Sequence, residues 1–237
     1  MNWAVLFEPD NLAMYLRGLW GTFSMLMGLL AAGGVAGVVF ALMLTSRSWL
    51  LRKLASMFTY FVRGTPLLIQ IYLIYFGIAQ LAWVQALWDD IWPLMWFKSA
   101  LFCAMLAFSM NHAGYLAEIL AGAIRDTGKG EIEAAYAMGM GRWQVMRRVI
   151  LPGALRRALP AYSNEVMQMM HGTSLAFTVP GLMELTSAAR KINSDYYLTF
   201  EAFLFAALLY LVITFALMGL FRLAERRYTR YLDPRAA

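Results

Sequence analysis

No charged residue separates Arg17 from Arg47, and the stretch between them is almost wholly apolar. A helix apolar on every side is either the centre of a large core or a membrane span. The hydrocarbon layer of a bilayer needs about 20 such residues. Four further stretches behave in the same way, so five spans are expected, at about 19–44, 65–83, 99–124, 158–179 and 202–221. The third is interrupted only by Glu118. The fourth contains Glu165 and is the most polar. Of the 237 residues, 14% are charged, against about 25% in soluble domains. The expected architecture is a single all-α integral membrane domain, residues 1–237.

A net charge of +6 suggests a nucleic-acid partner until the charges are placed. They cluster between the apolar stretches, so no nucleic acid is expected. The segment between spans one and two holds Arg47, Arg52, Lys53 and Arg63. The one between three and four holds Arg125, Lys129, Arg142, Arg147, Arg148, Arg156 and Arg157. The tail holds Arg222, Arg226, Arg227, Arg230 and Arg235. These are 16 of the 20 Lys and Arg residues. Basic residues accumulate on the cytoplasmic side, so the N-terminus is expected outside and the C-terminus inside. Trp83, Trp88, Trp92 and Trp96 then lie in an outer loop, where an aromatic belt belongs. Glu8, Asp10 and the lack of an early basic cluster argue against a cleavable signal peptide. The lone Cys103 sits in an apolar run and is expected to be a packing residue.

The segment 125–157 is too patterned for a plain connection. Glu131, Glu133, Ala134, Ala135 and Ala137 fit a short helix with its carboxylates toward the positive end. Gly139 suits the left-handed residue that ends a helix, and Gly141 allows a further bend. A second helix follows, with Trp143, Met146 and Ile150 on one stripe, and Pro152 and Gly153 are expected to end it. Residue types alone leave two readings open: a knob that docks on a partner, or a pair of interfacial helices with none.

Glu133-Ala134-Ala135, then Gly139, then Ile150-Leu151-Pro152 resembles the EAA loop of the permease subunits of ABC importers. Val149 stands where that family usually has isoleucine. Arg63-Gly64-Thr65-Pro66-Leu67-Leu68-Ile69-Gln70 is similar to the opening of span two in polar-amino-acid permeases. Leu159-Pro160-Ala161-Tyr162-Ser163-Asn164-Glu165-Val166 and Thr173-Ser174-Leu175-Ala176 resemble their fourth span. The whole most resembles permeases for histidine, lysine, arginine and ornithine, with opine permeases as neighbours. Thr65 is expected to cap the second span and Pro66 to occupy its first turn.

The resemblance implies a multi-pass subunit of a bacterial inner membrane importer for polar, basic amino acids or opines. Its loop would dock on an ATP-hydrolysing partner through Glu131, Glu133, Ala134, Ala135, Met138, Gly139 and Arg142. It also implies two ATPase subunits carrying ATP and Mg, a second permease (the same chain or a sister) and a periplasmic substrate-binding protein. The chain itself would bind no cofactor or metal and would not be an enzyme. It lacks a P-loop, since Gly122 and Gly128-Lys129 are one residue too far apart and Gly130 follows where Ser or Thr is needed. Alternatives are a permease for another polar amino acid such as glutamine, or an ion-coupled secondary transporter. The latter commonly shows repeated halves, and none is evident.

Ionisable groups within spans are costly and mark function by default. At 100° per residue, Asn164, Glu165, Gln168, His171 and Gly172 share one arc of span four. Asn111, Tyr115, Glu118 and Gly122 share a face of span three. The functional reading sets these faces around a polar path. Glu165 and Glu118 then attract a cationic side chain, Asn164 and Gln168 bind amide or carboxylate groups, and Tyr115 contributes. The alternative is that they hydrogen-bond neighbouring helices. His112 and His171 are expected to be packing or hydrogen-bonding histidines. Gly33 and Gly37 suggest a close helix approach.

Overall fold

The computed structural model describes residues 2–88 and 90–228, so Arg230 and Arg235 of the basic tail lie outside the described residues. No strand occurs among the described residues. α1 (Pro9–Leu44) opens on Pro9, with Asp10 in its first turn, an arrangement suited to a helix start. α5 (Ala100–Arg125) is capped by the Ser99 hydroxyl, which accepts from the Phe102 amide. α10 (Thr199–Tyr228) ends in Arg226 and Arg227. These three helices are long and apolar enough to cross a membrane.

The segment before the second expected span is corrected. Residues 45–64, read as a cytoplasmic loop, contain a 16-residue helix, α2 (Trp49–Gly64). It breaks at Thr65 and Pro66. α3 (Leu67–Tyr72) continues through a π turn (Leu73–Gly77) and a 3-10 turn (Ile78–Gln80). The two halves are bent by 104°, and if they form one broken span the candidate spans number four. α2 packs on α5 through Ala55, Thr59 and Val62, with Arg52 and Lys53 exposed and Arg63 reaching Glu118 of α5. That amphipathic pattern reads as a loop in a hydropathy scan. Thr65 does not cap α3. Its hydroxyl donates back to the Phe61 carbonyl at 2.9 Å, serving the end of α2 instead. Beyond the break lies α4 (Ala82–Ala86), in a segment where Trp83, Trp92 and Trp96 are exposed.

Residues 129–172 are corrected in a second respect. α6 (Lys129–Ala137) ends as expected: Gly139 has φ +78°, its amide donates to Tyr136, and the Met140 amide donates to Ala135. Those two bonds are the Schellman ending of a helix. After α7 (Arg142–Val145), however, Pro152 and Gly153 terminate nothing. A π turn (Met146–Ile150) leads directly into α8 (Leu151–Gly172), with Pro152 in its first turn. Proline has no N–H for the carbonyl four residues back, and a π turn resets the ladder just where that bond is lost. α8 therefore begins well before residue 158, and a 3-10 turn (Thr173–Thr178) extends it.

α9 (Leu185–Tyr196), absent from the sequence reading, wedges between α1 and α10. Its N-cap is the fully buried Glu184, which accepts from the Thr186 and Ser187 amides at 2.6 Å and from Tyr210 Oη at 2.9 Å. α1 meets this segment without side chains between the backbones. A Cβ on Gly21 would lie 1.8 Å from the Met183 carbonyl oxygen, and one on Gly18 2.9 Å from that of Glu184. Gly33 and Gly37 give α1 the same close approach to Ser109, His112 and Leu116 of α5. Cys103 is buried in the central cluster with Phe108, Ile71 and Met170.

Candidate functional site

The break between α2 and α3 leaves backbone groups that have no helical partner and, inside a membrane, no water. Side chains satisfy them. Gln70 Nε2 donates to the Val62 carbonyl at 2.6 Å and to the Thr65 hydroxyl at 2.8 Å. Asn111 of α5 donates to Gln70 Oε1 at 3.2 Å, fixing the amide's orientation. With its backbone thus occupied, the break opens as a groove of about 430 Å³ lined by Arg63, Thr65, Asn111, Tyr115 and Gln168, with Gly64, Pro66, Leu67 and Met169. Three elements that are distant in sequence meet there. Val62 and Arg63 pack against Gly114, near the middle of α5. Arg63, counted above as a loop cation, therefore lies level with the centre of a candidate span.

The expected site residues divide. Gln168 and Tyr115 line this groove. Glu165, one turn from Gln168, turns inward and is 4% exposed, with Oε1 3.4 Å from Nδ1 of the fully buried His112. Among the described residues, Nε2 of His112 has no hydrogen-bond partner. Glu118 accepts from the Thr59 hydroxyl at 2.8 Å and lies 3.8 Å from Arg63 Nη1, so it ties α2 to α5. Asn164 does not join the others. It lines a separate groove between α8 and α10 with Ser163, Met167, Arg222 and Glu225. His171 meets the Thr214 hydroxyl of α10 at 3.2 Å. The helical wheel found the polar face of α8 but not that three neighbours would divide it. Gln70 and Arg63 were missed as site residues. Both stand in the motif quoted above, but only the bend of the chain reveals what they do.

At the other end of the bundle, α6 and α7 form a knob. Glu131, Glu133, Ala134, Met138, Gly139 and Arg142 are exposed on it, whereas Ala135 is buried inside. Tyr136 and Trp143 add exposed apolar surface. Arg157 anchors the knob's base, donating from α8 to the Ala123 carbonyl (3.1 Å) and the Thr127 hydroxyl (2.6 Å) at the end of α5. Arg125 donates to the last carbonyl of α1, on Leu44.

Residues 33–230 match the family described as "Binding-protein-dependent transport system inner membrane component". The chain belongs to that family. Among curated inner membrane components, it is 44% identical over 214 residues to the histidine/lysine/arginine/ornithine transport system permease protein HisM of Salmonella typhimurium, covering 90% of this chain and 88% of that one. It is 42% identical over 218 residues to the octopine transport system permease protein OccM of Rhizobium radiobacter, with 87% of each covered. Among solved structures, an amino acid ABC transporter with histidines superposes with a TM-score of 0.82 at 29% identity, covering 96% of this chain and 99% of that one. The MetNI methionine ABC transporter, at 16% identity and a TM-score of 0.68, shares the fold over 94% of this chain and 99% of its own.

Proposed function

We propose that this chain is the permease subunit of an ATP-driven importer and carries basic amino acids, or opines built from them, through the groove at the α2–α3 break. The observation that carries this reading is a polar groove level with the middle of α5, beside the buried carboxylate of Glu165. Discontinuous helices near mid-membrane are a recurrent way of building transport sites. The substrate class is supported by the names of the HisM and OccM relatives. The proposed topology has five crossings: α1, the broken α2–α3 pair, α5, α8 and α10, with the N-terminus outside. α8 carries too many polar groups to qualify on composition, as a path-lining helix would.

Two ATPase subunits holding ATP and Mg, a second permease and an external binding protein complete the proposed machine, and this chain contributes no catalysis. The α6–α7 knob is the proposed ATPase contact. ATP-dependent arginine uptake into proteoliposomes holding the whole complex, stimulated by the binding protein, is the expected result. Uptake driven by an ion gradient without ATP would overturn the reading.

The knob's shape depends on one residue. Gly139 is in the left-handed region with open space around it, so a side chain there meets backbone strain of about 1–2 kcal/mol rather than a clash. Asparagine tolerates that region and a β-branched residue does not. Copurification of the ATPase is expected to survive Gly139→Asn and to fall in Gly139→Val. Equal recovery in both would remove the turn from the docking mechanism.

A further inference from the structure

Among the described residues, the Arg63 guanidinium makes two contacts. It lies over the Tyr115 ring, 5.4 Å from the centroid, and Nη1 is 3.8 Å from Glu118 Oε1. Neither is a hydrogen bond, so a rigid fork of five N–H donors is steered by an aromatic face and a carboxylate but committed to neither. Its side chain is 43% exposed, and what it faces is the groove. The rest of the polar lining (Thr65, Asn111, Tyr115 and Gln168) is neutral, and among the described residues no carboxylate lines the groove. A charged group at mid-depth in a membrane protein is expensive and seldom idle. A planar fork of donors matches a carboxylate, which accepts two parallel hydrogen bonds from it.

We infer that Arg63 binds the α-carboxylate of the transported amino acid in this groove. This rests on the proposed reading of the chain as an amino-acid permease. It makes Glu118 a positioning residue: Thr59 holds Glu118, and Glu118 holds the guanidinium over the groove. The sequence reading had cast Glu118 as a host for the substrate cation. In the structure its charge faces the protein's own arginine.

The test compares arginine with agmatine, which keeps the guanidinium and lacks the carboxylate. Binding of each to the purified permease–ATPase complex is measured by calorimetry without the binding protein, so that the binding protein's own selectivity does not enter. Arginine is expected to bind at least about tenfold more tightly than agmatine. That gap should close in Arg63→Gln and persist in part in Arg63→Lys, which keeps the charge but not the fork. Equal binding of agmatine and arginine to the native complex, or a gap undiminished in Arg63→Gln, would overturn the carboxylate role and leave the transport reading standing. If neither ligand bound, although the complex took up arginine when the binding protein was restored, the idea that this chain holds substrate would fall, and the inference with it.

Discussion

Glu165→Gln is expected to lower ATP-dependent uptake of arginine by about ten- to hundredfold. Hydrogen bonds to charged groups are worth about 1.5–3 kcal/mol, and each 1.4 kcal/mol is a factor of ten. The substitution keeps the size of the side chain and its reach to His112, so only the charge is lost. Stability should move the other way. A carboxylate that is 4% exposed, facing one imidazole at 3.4 Å, carries a desolvation cost that the neutral amide does not. Higher or unchanged recovery of folded complex combined with a loss of arginine uptake would mark a charge kept for function. Uptake and cation preference that both survived would remove Glu165 from the path.

The second large effect is structural. Gly21→Ala is expected to destabilise the protein by about 3 kcal/mol or more, the upper end for overpacking. The new Cβ would fall 1.8 Å from a backbone oxygen, that of Met183, and a backbone atom cannot swing aside as a side chain can. Gly34→Ala is the matched control on the same helix. Nothing lies within 4 Å of its Cβ position, and alanine there gains about 0.8–1.0 kcal/mol of helix propensity. Thermal unfolding followed by size-exclusion fluorescence should show Gly21→Ala lost or strongly shifted and Gly34→Ala unchanged or improved. Similar profiles for the two would mean that α1 does not press on the Met183–Glu184 segment as described.

Much of this was legible in the chain. α5 lies within one residue of the expected 99–124, because a run with Glu118 as its one charge and a serine at its start leaves little choice. The α6 ending was legible because few residues but glycine sit comfortably at φ +78°. α2 was not. Arg52, Lys53 and Arg63 lower its local hydropathy, whereas its membership of the bundle rests on Ala55, Thr59 and Val62 meeting α5, a tertiary fact. The site shows the same division. Spacing put Glu165 and Gln168 on one polar face, but the rotation that sends Glu165 to His112 and Gln168 to the groove is set by helices dozens of residues away. α9 left only a short, weakly apolar pattern, and its anchor is Glu184, whose partners Thr186, Ser187 and Tyr210 become visible as partners only in three dimensions.

From Arg142 to Gly172 the chain runs as helix without a connecting loop, with the π turn and Pro160 as its irregular points. At 1.5 Å per residue, such a rod carries a displacement of the knob along its length rather than dissipating it in a hinge. Its far half bears Glu165 and Gln168. On the proposed reading of the α6–α7 knob as the ATPase contact, it would act as a lever with the knob as its handle and the candidate site at its tip. A few degrees of tilt at the handle would then move the carboxylate relative to His112 and Gln168 relative to Arg63 in one stroke, with the Arg157 contacts to Ala123 and Thr127 as the natural fulcrum.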